Sequence, residues 1–175
     1  MIFEDILIGD QIYLKQLLVM DVDETYVNWL NDPIINKHLE VRHNPSTLLQ
    51  QMKYVSECIE SKNKLICGIF SMENKLIGTL KLSFLNSHTA EIGIMIGEKS
   101  MQGIGVGKNT ISLVKKWAKE NDVLKLTAGY EVNNIASAKL FESSGFKKLE
   151  AISKPLLTNQ TILIERVTLD LANVC

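Results

Sequence analysis

Seven consecutive residues, Gln102-Gly103-Ile104-Gly105-Val106-Gly107-Lys108, carry the sharpest chemical signal in the chain. They follow a run that reads as a strand. They open a stretch, Val106 to about Asn121, whose apolar residues Ile111, Val114, Trp117 and Ala118 share one helical face. Glycines at such a junction let the backbone approach a ligand closely and adopt conformations closed to other residues. The first amides of a helix lack internal partners and lie at the positive end of its dipole, which suits a phosphate. Lys108 adds a positive charge. Two common phosphate motifs do not match. A Walker loop needs a glycine five residues before Gly107 and a Ser or Thr after the lysine, where Gln102 and Asn109 stand. A dinucleotide fingerprint needs its third glycine one residue later. On this segment alone, a glycine-rich turn without a ligand stays open.

The elements that must position this turn follow from the apolar pattern. Ile12 to Leu17 reads as a first strand, and Asp23 to Leu30 as a helix ended by the turn Asn31-Asp32-Pro33. Ser46 or Thr47 caps a second helix running to about Ser61, with Leu48, Met52, Val55 and Ile59 on one face. The period then changes to that of strands over Leu65 to Ser71, Lys75 to Phe84 and Thr89 to Ile96, with turns at Asn74 and at Asn86-Ser87-His88. After the glycine-rich turn and its helix come a strand from Leu124 to Glu131 and a helix from Asn134 to Ser144. Gly145 stops that helix, and a closing alternating strand runs from Thr161 to Leu171. Three successive strands favour antiparallel hairpins, and strand-helix-strand after Ile96 favours a parallel crossover. The expected fold is therefore α+β, a mixed and mostly antiparallel sheet flanked by helices, rather than a doubly wound one.

Bulk properties narrow the classes. The 175 residues suit a single domain spanning 1–175, and 46% apolar residues supply a core. A net charge of −1 gives no basic excess to attract nucleic acid. Met1 to Asp5 lacks the pattern of a secretory signal, and no window approaches the roughly 18 apolar residues of a membrane span. Cys58, Cys67 and Cys175 are odd in number and scattered, and His38, His43 and His88 lie at no ligand spacing. The expectation is a cytoplasmic protein with reduced thiols and no metal site.

A second motif lies downstream. Asn134-Ile135-Ala136-Ser137-Ala138-Lys139-Leu140-Phe141-Glu142-Ser143-Ser144-Gly145-Phe146 resembles the Asn-x-x-(Ser/Ala)-x-x-Leu-(Tyr/Phe)-x-x-x-Gly-Phe pattern of the GNAT acetyltransferase superfamily. Gln102, Gly105 and Gly107 resemble that family's pyrophosphate motif, (Gln/Arg)-x-x-Gly-x-(Gly/Ala). The resemblance is clear from about Lys75 to Phe146 and weak before Leu65. It implies acetyl-coenzyme A as co-substrate, with the amides of Gly103, Gly105 and Gly107 and the flanking Gln102 and Lys108 at the pyrophosphate. Asn134, Ser137 and Phe141 are implied beside the pantetheine and thiol. Asn134 reads equally as a plain helix cap, and Phe141 equally as core.

Acetyl transfer to an amine needs a base, an oxyanion donor and a proton for the departing thiolate. A lysine-like ammonium has a pKa of about 10.4, so deprotonating it at pH 7 costs roughly 4–5 kcal/mol. Glu91 lies eleven residues before Gln102, the position of the catalytic glutamate in histone-acetylating relatives, and shares a strand face with Gly93 and Met95. It is the first candidate base, and Glu131 is the second. A backbone amide at Met95 or Ile96 is the implied oxyanion donor. Many relatives carry tyrosine where this chain has Phe141. Ser137 is then a candidate acid beside a water-mediated departure, while Tyr130 is expected to face away from Glu131.

The stretch Trp29-Leu30-Asn31-Asp32-Pro33, with Leu39-Glu40-Val41-Arg42, resembles a branch that acetylates ribosomal-protein N-termini and nucleotide-linked amino sugars. Trp29 is a candidate to stack on a sugar or base and Arg42 to bind a phosphate. Their alternatives are a core tryptophan and a Glu40–Arg42 pair. The expected partner is a small amine, an amino sugar first and a protein N-terminus second, with a homodimer through sheet edges also open. A non-catalytic acetyl-coenzyme A sensor is the competing class.

Overall fold

The computed structural model describes residues 6–155 and 161–172, so Met1 to Asp5 and Cys175 fall outside it. Among the described residues the strands are β1 (Leu7–Ile8), β2 (Ile12–Gln16), β3 (Lys64–Ser71), β4 (Leu76–Asn86), β5 (Thr89–Ile96), β6 (Lys125–Glu131), β7 (Lys147–Lys148), β8 (Ile152–Pro155) and β9 (Thr161–Asp170). The helices are α1 (Glu24–Asn31), α2 (Leu48–Glu60), α3 (Val106–Glu120) and α4 (Ile135–Ser143). Short 3-10 turns at Asn36–His38, Glu40–His43 and Lys99–Met101, which the apolar pattern did not reveal, shape the loops around the site.

Helix ends follow their caps. The Asp23 side chain accepts from the Tyr26 amide, and Thr47 and Gln50 bond reciprocally as a capping box. Asp23 and Thr47 therefore sit just outside α1 and α2. Asn134 caps α4 by accepting from the Ser137 amide at 3.1 Å, and Gly145 beyond its end has φ 89°. A left-handed residue there ends a helix with little strain only when it has no Cβ.

The sheet runs β1-β2-β3-β4-β5-β6-β9-β7, with β8 also paired to β9. Every pairing is antiparallel except β5 with β6. Helices α3 and α4 cover one face, packing Ile111, Val114 and Phe141 onto Leu65, Leu80, Ile92 and Leu126. Helices α1 and α2 cover the other, with Trp29, Leu30 and Val55 against Ile66 and Met95. β3 is buried on both sides, which explains its unbroken apolar run from Leu65 to Phe70. No helix among the described residues is long and apolar enough to cross a membrane.

One departure from sheet regularity matters most. β5 and β6 pair from Thr89↔Lys125 to Ile92↔Ala128 and then part. Beyond that point β5 stays on β4 as far as Gly78↔Ile96, and β6 stays on β9 as far as Glu131↔Ile164. A gap therefore opens inside the sheet between residues 93–96 and 129–131.

Gly97, where β5 ends, has Trp29 against it. A Cβ there would lie 2.0 Å from the indole ring. Gly97→Ala should lower the unfolding free energy by about 1–3 kcal/mol through overpacking. The expected result is a lower urea midpoint at unchanged slope, and an unchanged midpoint would mean that Trp29 does not pack there.

Candidate active site

The glycine-rich turn sits beside the gap. Gly105 is the residue before α3, with φ 95°, and Gly103 has φ 75°. A Cβ at either position would meet nothing within 4 Å, so the turn is open on that side. None of the amides of residues 103–108 makes a well-aligned hydrogen bond within the described protein. Free amides at a helix start, in a hollow kept clear of side chains, suit the two phosphates of coenzyme A. The Gln102 side chain donates to the Ile96 carbonyl at 2.8 Å and ties the turn to the end of β5. Gly107 serves packing instead. Its Cβ would touch Leu140 of α4 at 3.2 Å, so the glycine allows α3 and α4 to approach. Lys108 is exposed beside the turn.

Strand alternation decides which amides enter the gap. The Gly97 amide bonds the Ile77 carbonyl on β4, and the Phe84 amide turns away from β5 to Asn63. Successive amides of a strand point in opposite directions. The amides of Ile94 and Ile96 therefore face the gap, while that of Met95 faces β4. Of the two expected oxyanion donors, Ile96 has the suitable orientation. The Met95 side chain packs instead with Trp29 and Leu30 on the α1/α2 face.

On the α3/α4 face, Phe141 is buried. It stacks on Tyr130 at 5.9 Å between ring centres and meets Phe146 edge-on at 5.1 Å. Tyr130 does face away from Glu131, and burial pushes its phenol up. Ser137 is half-buried on α4.

The opposite face holds the charged groups. Glu91 and Thr127 are register partners, so Glu91, Gly129 and Glu131 lie on one side of the sheet. Arg166 on β9, opposite Gly129, reaches across it to donate to Glu91 Oε1 at 2.7 Å. A Cβ on Gly129 would stand 3.0 Å from the guanidinium, so the glycine gives Arg166 its path. Glu131 is nearly buried. His38 Nδ1 lies 2.8 Å from its Oε2, and Arg42 Nη2 stands 2.6 Å from Oε1 as an ion pair without hydrogen-bond alignment.

Two acceptor-side expectations change. Arg42 is engaged by Glu131 rather than presented to a phosphate, and Glu40 pairs with Lys154 rather than with Arg42. Trp29 is 6% exposed, its ring against Gly97 and Tyr26, so it takes the core role rather than that of a stacking platform. Sequence reasoning missed His38 and Arg166, whose partners lie far along the chain. Gly129 inside a strand was the legible hint, because an interior strand glycine often marks a close approach.

Comparison with known proteins agrees with this geometry. The acetyltransferase (GNAT) domain family matches residues 11–147, and the chain belongs to that family. An uncharacterised protein of Methanocaldococcus jannaschii is 36% identical over 141 residues, covering 79% of this chain and 28% of that protein. A streptothricin acetyltransferase of Escherichia coli is 25% identical over 93 residues, 53% of each chain. The chain thus spans about a quarter to a half of the length of these relatives. Among solved structures, spermidine N-acetyltransferase from Vibrio cholerae, in complex with CoA and spermine, superposes with a TM-score of 0.81. It is 17% identical and is covered to 98%, against 94% of this chain, which shows the shared fold.

Burial pushes the Glu131 carboxyl up, but its hydrogen bond with His38 and the charge of Arg42 outweigh this, and it titrates below the usual carboxylate range. A carboxyl lowered by folding stabilises the protein above its unfolded pKa, about 4.3. That contribution is lost as pH falls through the folded value. Glu131→Gln should therefore be less stable than wild type at pH 7, with the difference in urea midpoint shrinking as pH falls below about 4. A difference independent of pH would deny the carboxylate this role.

Proposed function

We propose that this protein is an N-acetyltransferase that moves an acetyl group from acetyl-coenzyme A directly to a primary amine. The observation that carries the reading is the gap between β5 and β6, opening beside an unoccluded ring of amides. The amides of residues 103–108 hold the pyrophosphate. Asn134 and Ser137, at the start of α4, border the pantetheine end. The Ile96 amide, facing the gap, stabilises the oxyanion that forms as the amine attacks the thioester carbon. The base comes from the α1/α2 face, where Glu91 and Glu131 both stand. The departing thiolate takes its proton from solvent or from Ser137, since Phe141 has none to give.

A nucleotide-linked amino sugar is the leading acceptor, on the sequence likeness of the Trp29 to Arg42 stretch to the branch that uses such substrates. A protein N-terminus is the second. With Arg42 held by Glu131, any phosphate of the acceptor must be recognised by other groups. The chain acts as one domain in the cytoplasm, where Cys58 and Cys67, both unpaired, would remain reduced. The outer strands leave sheet edges at which a homodimer would form.

Gly105→Val tests the cradle, because it fills the hollow and strains a left-handed position. Calorimetry should show coenzyme A affinity falling at least about tenfold, a loss of about 1.4 kcal/mol, with the far-ultraviolet spectrum of the fold retained. Normal affinity would remove the cradle assignment. Wild-type protein mixed with acetyl-coenzyme A and a panel of amines should release free thiol. Tight binding with no thiol release from any amine would favour the sensor.

A further inference from the structure

The acceptor face carries two carboxylates, and their places along the strands differ. Glu91 sits where β5 and β6 are still paired, opposite Thr127. It is five residues before Ile96, which is about 16 Å along a strand. Glu131 is the last residue of β6, three beyond Ala128, just as Met95 is three beyond Ile92. Counting along the two diverging strands, Glu131 therefore stands across the gap from Met95 and Ile96, where the thioester carbonyl would meet its amide donor. A base must lie within hydrogen-bond or one-water reach of the nitrogen it deprotonates.

Glu131 itself is poorly suited to accept that proton. It is nearly buried, lowered in pKa and engaged through both oxygens. Its partner is better placed. His38, on the 3-10 turn after α1, presents Nδ1 to Glu131 at 2.8 Å. Its Nε2 has no partner among the described residues, and the side chain is 19% exposed, so that nitrogen is reachable. A carboxylate that accepts from Nδ1–H fixes the tautomer with a lone pair on Nε2. Arg42, four residues further on, neutralises the other oxygen of Glu131 and donates to the Leu39 carbonyl, which fixes the turn on which His38 rides. The charged groups around the imidazole are thus Glu131 from β6 and Arg42 from its own loop. Nearby Lys154 of β8 is taken by Glu40.

We propose that His38 is the general base that deprotonates the acceptor amine, with Glu131 as the positioning residue that holds its tautomer. This rests on the acetyltransferase reading. As the N–C bond forms, Nε2 accepts a proton from the attacking nitrogen. The C–S bond then breaks, the thiolate takes a proton from solvent, and the imidazolium returns its own proton to solvent. Neither a metal nor an oxidant is required. Glu91, held by Arg166, shapes the acceptor floor.

The panel for the test contains a UDP-linked amino sugar, spermidine and a peptide with a free N-terminal serine. With the fastest of these, His38→Ala should lower kcat/KM by about 100-fold or more, the usual contribution of a general base. Coenzyme A affinity should be unchanged, and added imidazole should restore part of the rate. The acidic limb of the wild-type pH–rate profile should vanish in His38→Gln but persist in Glu91→Gln, even where Glu91→Gln is slower. Loss of the limb in Glu91→Gln and its survival in His38→Gln would overturn the proposal. A second measurement needs no acceptor. Nitrogen-15 spectra of the whole protein should show the neutral His38 ring protonated at Nδ1 and bare at Nε2, and this preference should relax in Glu131→Gln. A proton found on Nε2 in wild type would overturn the proposal by itself. Binding of coenzyme A with no amine acetylated would instead overturn the parent reading, and the tautomer would still decide the His38–Glu131 pairing.

Discussion

The site depends on a sheet that comes apart in its middle. Two adjacent parallel strands, β5 and β6, share a few ladder positions and then separate, each kept in place by its outer neighbour. Backbone groups along such a split are strong donors and acceptors, and leaving them unpaired in the interior is costly. A molecule that lies in the opening and supplies the missing bonds relieves that cost. The gap is thus both a structural imperfection and the candidate place for a ligand, and the glycine-rich turn lies at its end because β5 leads directly into it.

The split also separates the chemistry into two sides. One face, under α3 and α4, is aromatic and closely packed, with Tyr130, Phe141 and Phe146 in mutual contact. The other, under α1 and the loop that follows it, carries the carboxylates, each already engaged by a cation. Glu91 and Glu131 come from the same face of the sheet yet have different surroundings. Glu91 is one-third exposed and bonded to one guanidinium, whereas Glu131 is nearly buried between an imidazole and a guanidinium. Two carboxylates with such different surroundings are fitted to different roles.

Small residues keep these arrangements possible, and each does so differently. Gly105 supplies a left-handed turn before α3 and an open hollow. Gly107 lets two helices meet, Gly97 admits an indole ring, and Gly129 clears the path of Arg166. The three glycines of the turn looked alike as sequence, yet only Gly103 and Gly105 face open space. Trp29 illustrates the same limit. An aromatic residue on a short amphipathic helix can line a site or fill a core, and Gly97 across from it decides for the core.

Local chemistry was legible in the sequence. The order of the longer strands and helices, the caps at Thr47 and Asn134, the left-handed stop at Gly145 and the helix-start turn at Gln102 to Lys108 all follow from residue type and short-range spacing, whereas the short strands β1, β7 and β8 do not. These are interactions within a few residues, where propensity and capping decide the outcome. The assignment of partners was not legible. His38 meets Glu131 across 93 residues and Arg166 meets Glu91 across 75. Nothing local in either segment specifies such a pairing. Where β5 and β6 part, which amides face the opening and which side chains guard it were decided only when the strands were laid side by side, because register and burial belong to the packed sheet and not to any stretch of chain.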